Sequence, residues 1–224
     1  MVEPSYLDKL TRKARRIEFD DGLTDLQTAL VFLLLGLVNA LFLSGVGMEW
    51  FVRSILTNRD LTLIGLLGLF AGMIAIFAGS RRIVSWIRSE KLWSGGGRAT
   101  PRAWQLDRWV AFLALGAFLL VFLPGIFLFA RQPLDMHTGL RITLAGASAA
   151  TAVIYFAIGR TLAVRRYTWV ALAGIVGALL LLFVSFSAAM SWIVLTSFWV
   201  VPLTVSGSLA LRAVLMQRHE PSNG

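Results

Sequence analysis

Residues 169–211 run without one charged side chain. Wound as a single helix at 1.5 Å per residue, the stretch would be about 65 Å long. That is twice the ~30 Å of hydrocarbon in a bilayer. The run must therefore turn back on itself, and "SFSAAMSW" (185–192) offers the small and polar residues to do so. Residues 61–79 and 109–130 are likewise free of charge. Only 15% of the chain is charged, where a soluble domain carries about a quarter. The pattern predicts an all-α, polytopic integral membrane protein with six transmembrane helices arranged as three hairpins. The spans fall at approximately 24–45, 61–79, 109–130, 139–159, 169–188 and 192–211. A leader (1–22) precedes the bundle (23–218), and a short tail (219–224) follows it.

The net charge of +9 could suggest nucleic acid, but its placement points elsewhere. The basic residues sit at the ends of apolar runs, where they select topology and meet anionic inner-leaflet lipids. Of the 21 lysines and arginines, only Arg53, Arg59, Arg131 and Arg141 fall on the side of the first, third and fifth connections. The positive-inside rule then puts both termini in the cytoplasm. The chain has no cysteine, which excludes disulfides, thiolate metal sites and haem attachment. It has no Asn-x-Ser/Thr sequon either, so a bacterial or archaeal inner membrane is expected. The first apolar run begins only near Ala29, after a charged leader and with no small-x-small cleavage site, so the first span should be retained.

Three pieces outside the spans carry local signals. "SYLDKLTRKARRIEF" (5–19) spaces Leu7, Leu10, Ala14 and Ile17 for an N-terminal amphipathic helix on the membrane interface, capped by Ser5 and Asp8. "SRRIVSWIRSEKLW" (80–93) carries the second span onward until "SGGG" (94–97) breaks it. Thr100 and Pro101 then open a new helix. Trp86, Trp93, Trp104 and Trp109 suit an interfacial belt.

"FDDGLTDLQ" (19–27) forms the doorstep of the first span. Gly22 can take a left-handed conformation, Thr24 with Gln27 reads as a capping box, and Asp25 complements the helix dipole. Glu18, Asp20 and Asp21 are placed to meet arginines of the leader and of the second and fourth connections. On this reading the segment is an exposed elbow whose pairs are worth about 0–1 kcal/mol each. The sharper reading is a cation site built from Glu18, Asp20, Asp21 and Asp25, but their spacing matches no known metal loop. The elbow is preferred, and no metal or cofactor is expected.

Two kinds of stripe mark the spans. Gly65, Gly68, Gly72, Ala75 and Gly79 alternate spacings of three and four on one helix face. Small residues let membrane helices approach closely, so the stripe predicts a helix crossing, either inside the chain or at a homo-oligomer seam. Arg141, Ser148, Thr151 and Tyr155 share a face of the fourth span, and Ser197, Thr204, Ser208 and Arg212 share one of the sixth. Pro202 frees a carbonyl beside the latter, and Asn39 is the amide deep in the first span. These residues read as ordinary interhelical hydrogen bonding, or as the lining of a polar path.

Absences narrow the function. No Asp, Glu, Lys or His lies mid-span, so a proton relay is not expected. His137 and His219 are the only histidines, and both sit near span ends, which removes bis-histidine haem and a His-Glu-x-x-His site. The expectation is a non-catalytic membrane protein that acts by helix packing, as a homo-oligomer or with a membrane-protein partner. The alternative is a transporter, or its substrate-binding subunit, for a small neutral or weakly anionic solute. Tags at the two termini should survive protease added to intact spheroplasts and be cut after lysis. An N-terminal tag cut from outside would overturn the orientation.

Overall fold

The long uncharged run breaks at the leading edge of "SFSAAMSW". Helix stops at Phe183, residues 184–187 turn, and the Met190 N–H donates to Ser187 Oγ (3.3 Å) to start the next helix. The computed structural model describes residues 19–92, 108–129 and 136–219. Among these residues the elements are α1 (Leu23–Phe42), α2 (Gly45–Thr57), α3 (Arg59–Ile87), a π-helical turn (Arg88–Leu92), α4 (Arg108–Phe129), α5 (Met136–Leu162), α6 (Arg166–Phe183) and α7 (Ala188–His219). Six of the helices, all but α2, are long and apolar enough to cross a membrane. The leader before Phe19, with Glu18, and the "SGGG" break with the helix restart at Thr100 lie outside the described residues.

Two local features differ from the sequence expectation. The first connection holds a helix, α2, that the sequence reading did not name. Ser44 starts this helix by accepting the Gly47 N–H (3.0 Å), and an exposed Glu49–Arg53 pair (3.2 Å) spans one turn of it. Asn58 then accepts the Leu61 N–H (3.3 Å) and opens α3. The Thr24–Gln27 capping box is also not made. Helix α1 already begins at Leu23, behind Gly22 with φ +73°, and Asp21 Oδ1 accepts the Leu23 N–H (2.9 Å). Gly22 is required twice over at this point. Its left-handed backbone disfavours a side chain, and a Cβ would collide with the Gly207 carbonyl.

Scattered small residues, not the regular stripe, bring the helices together. Helices α1 and α7 pack antiparallel, with Gly22 against Gly207 and Gly36 against Thr196. Gly174 and Gly177 of α6 receive Trp199 and Phe198 of α7. Gly146 of α5 receives Phe118 of α4, while Gly125 of α4 receives Ile142 of α5. The resulting core draws on α1, α5, α6 and α7, with Tyr167, Leu181, Trp199 and Leu203 fully buried. An aromatic column runs through it. Phe19 meets Tyr167 at 6.0 Å, Tyr167 meets Tyr155 at 5.5 Å, Tyr155 meets Trp199 at 5.3 Å, and Trp199 stacks on Phe32 at 5.6 Å.

Helix α3 stands apart from this core. None of its residues is buried, and it touches α1 and α2 only sparsely. A Cβ built on Gly65, Gly68, Gly72 or Gly79 would meet nothing within 4 Å, and Ala75 is exposed. Among the described residues, this stripe meets no other helix. Regular spacing defines a face, but it does not supply a neighbour. Large apolar side chains are exposed on every helix, from Leu41 on α1 to Leu209 on α7. A surface of that kind suits hydrocarbon better than water.

Replacing Gly174 by Leu should lower the melting temperature sharply, since overpacking a filled crossing costs about 1–3 kcal/mol or more. Gly68→Leu should leave it unchanged. Heating each variant in detergent, followed by tryptophan fluorescence, separates the two kinds of glycine; equal effects would refute the assignment.

Candidate functional site

The doorstep of α1 is buried, and this is the largest departure from the sequence reading. Asp21 is 2% exposed and Asp25 is 1% exposed. Asp21 lies in the turn just before α1 and Asp25 in its first turn, and each meets a different set of partners. Asp21 faces Arg88, which the π-helical turn at the end of α3 presents. Arg88 Nε donates to Asp21 Oδ2 (2.5 Å), and its Nη2 donates to Asp21 Oδ1 (3.0 Å) and to Thr24 Oγ1 (2.8 Å). This is the two-pronged geometry in which guanidinium and carboxylate bind best.

Asp25 is held from two other helices. Arg166 Nε, at the start of α6, donates to Asp25 Oδ2 (3.0 Å), and Ser206 Oγ of α7 donates to the same oxygen (3.0 Å). The neighbouring Tyr167 hydroxyl donates to Asp25 Oδ1, and Arg166 Nη2 donates to the Phe19 carbonyl. The Arg166 guanidinium also lies over the Tyr167 ring, 5.3 Å from its centre. Further along α1, Gln27 Nε2 donates to Ser80 Oγ of α3 (3.1 Å). One end of the bundle is thus a polar network that joins α1, α3, α6 and α7.

The two aspartates and two arginines cancel in charge, and every carboxylate oxygen has a donor. Asp21 and Asp25 are therefore committed to guanidinium groups, and no cluster of three His, Asp or Glu suited to a metal occurs among the described residues. What the arrangement can do is hold. The elbow reading paired Glu18, Asp20 and Asp21 with arginines of the leader and of the second and fourth connections; Asp21 does meet Arg88, while Arg166 of the fourth connection goes to Asp25. It erred in treating the pairs as exposed, and in leaving Asp25 to the helix dipole alone.

The remaining sequence candidates scatter. Arg141 is buried, but it caps the end of α6, with Nη1 donating to the Val184 carbonyl (2.5 Å), where a cation complements the helix dipole. Ser148 turns inward, donating to the Gly174 carbonyl (2.8 Å) and accepting from Trp199 Nε1 (3.1 Å). Tyr155 joins the aromatic column. Thr151, Ser197 and Asn39 bond to carbonyls one turn back in their own helices. Thr204, Ser208 and Arg212 are exposed, and Pro202 is half-buried beside them. The polar face of α7 thus points outward, so the two stripes do not line one interior path. Tyr167, Ser206, Arg88 and Arg166 escaped the sequence reading as named members of a site. The available signal was a pair of carboxylates, i and i+4, directly before an apolar run.

Comparison with protein-family models, curated proteins and solved structures finds no match to this chain.

Asp25→Asn should cost about 1.5–3 kcal/mol, because it removes the charged acceptor that holds Tyr167, Ser206 and the partly exposed Arg166 together. Asp21→Asn should behave similarly toward Arg88. Glu49→Gln, which breaks an exposed pair on α2, should cost no more than about 0.5 kcal/mol. Melting temperatures of the three variants in one detergent test the contrast, and near-wild-type stability of Asp25→Asn would overturn it.

Proposed function

We propose that the protein is a non-catalytic, multi-pass component of a bacterial or archaeal inner membrane, with both termini cytoplasmic, that works by docking α3 against another transmembrane helix. The observation behind this reading is α3 itself. It has 29 residues, none of them buried, and its glycine face meets nothing among the described residues. Apolar side chains gain little by leaving lipid for one another, so membrane helices associate where backbones can approach closely. A sustained face of small residues permits that approach, and here the chain leaves it unused.

A second copy is the occupant such a face best describes. A two-fold seam needs one surface presented twice, so a single stripe suffices for both sides. The Asp21–Arg88 and Gln27–Ser80 contacts fix one end of α3 to the bundle. The rest of the helix is left available along its length.

Transport of a small neutral or weakly anionic solute is the competing proposal. It rests on the polar faces of α5 and α7, on Pro202, and on Arg141 and Arg212 at opposite ends of the bundle. Ser148 and Arg141 are inward but already bonded within the protein, and the face on α7 is outward. Helix docking therefore has the stronger support.

The double substitution Gly68→Leu and Gly72→Leu should convert a dimer in detergent or nanodiscs to monomer, measured by light scattering with mass analysis, without lowering the melting temperature. A wild type that stays monomeric in bilayers would remove the second copy as occupant. Loss of fold in the double variant would mean that the stripe packs inside the chain after all.

A further inference from the structure

The connection between α5 and α6 is three residues long, and beside it lies a cavity of about 570 Å³ lined by Asp20, Ala163, Val164, Arg165 and Arg166. Its floor is ordered backbone. Ala163 takes φ +55°, the Val164 N–H donates to the Gly159 carbonyl (2.9 Å), and the Tyr167 N–H donates to the Val164 carbonyl (3.1 Å). Arg166 is positioned from behind by Asp25 and the Phe19 carbonyl, which take its Nε and Nη2. Among the described residues its Nη1 has no acceptor. Arg165 is exposed, and among the described residues its guanidinium has no hydrogen bond or ion pair. Asp20 also lines the cavity and has a partner of its own. The cavity therefore presents one anchored and one unanchored guanidinium on adjacent residues, with far more room than the ~30 Å³ of a water molecule.

We propose that this cavity binds a phosphate-bearing anion, held by Arg165 and by the free edge of Arg166. Guanidinium groups match phosphate oxygens in geometry and remain charged at any working pH. The network around Asp25 fixes Arg166 in advance, which lowers the ordering cost of binding. Two sources carry this chemistry: the head group of an anionic phospholipid at the inner leaflet, and a small soluble phosphate. The lipid source rests on the membrane orientation proposed above, whereas the site itself does not.

The test uses the full chain in nanodiscs, heated while tryptophan fluorescence is followed. Adding phosphatidylglycerol to phosphatidylcholine discs should raise the melting temperature by roughly 5 °C, as expected for a ligand that binds only the native state. Arg165→Gln should abolish the rise and leave the melting temperature in pure phosphatidylcholine unchanged. A rise on adding inorganic phosphate to phosphatidylcholine discs, also lost in Arg165→Gln, would identify the soluble anion as the occupant. Arg82→Gln, which removes an exposed arginine of α3, controls for diffuse attraction and should keep the rise. Equal loss in Arg82→Gln and Arg165→Gln would overturn the site. So would a rise with either probe that is indifferent to Arg165, or no rise with both.

Discussion

The fold depends on charge that cannot be left alone once it is buried. Asp25 sits among Arg166, Tyr167 and Ser206 with almost no exposure. An isolated carboxylate in that position would be costly by several kcal/mol, and the attraction of its partners offsets this only where the geometry is good. The requirement works on the helices as a constraint. Helix α6 must begin at Arg166, α7 must present Ser206, and α1 must start close enough for Asp25 to reach both. Asp21 applies the same demand to α3 through Arg88. Four helices are brought into register at one end by two carboxylates, one just before α1 and one in its first turn.

Away from that end, the constraint changes from charge to shape. The aromatic column is wide, so the helices that flank it must be thin where it passes. Gly174 admits the Trp199 ring, and Ser148 satisfies the Trp199 N–H. Gly22 and Gly207 bring α1 and α7 into backbone contact beside the charged network. Close packing and buried polar pairing thus support each other at the same crossing. Helix α3 takes part in the second and not in the first. It is fastened at Arg88 and Ser80, while its own glycines meet no other described residue.

That difference connects the architecture to the proposed function. A helix fully packed in its own bundle has no surface to offer, and one with no attachment would have no defined orientation. Helix α3 has an anchored end and a free face, the combination required of a docking element in a bilayer. The anion cavity beside Arg165 lies at the same end of the bundle as the network that anchors α3. Arg166 and Asp20 place residues of the cavity directly beside those of the network.

The sequence by itself determined the helical class, the six long apolar runs, the turn within 169–211, and the end of the bundle that gathers the positive charge. Each is a local property, set by how many consecutive residues lack charge and by what flanks them. Parts of the site were legible too: Gly22 needed its left-handed conformation, and the doorstep carboxylates needed arginines. Tertiary structure decided burial, partners and facing. Asp25 and Arg166 are 141 residues apart, and no spacing rule along the chain could pair them. Helical period showed that Gly65, Gly68, Gly72, Ala75 and Gly79 share a face, but the glycines that pack are those that meet Trp199, Phe198, Thr196 or another glycine across a crossing. Period identifies residues that lie together on one helix. What lies opposite them is fixed only when the helices assemble, because contact is a property of two surfaces.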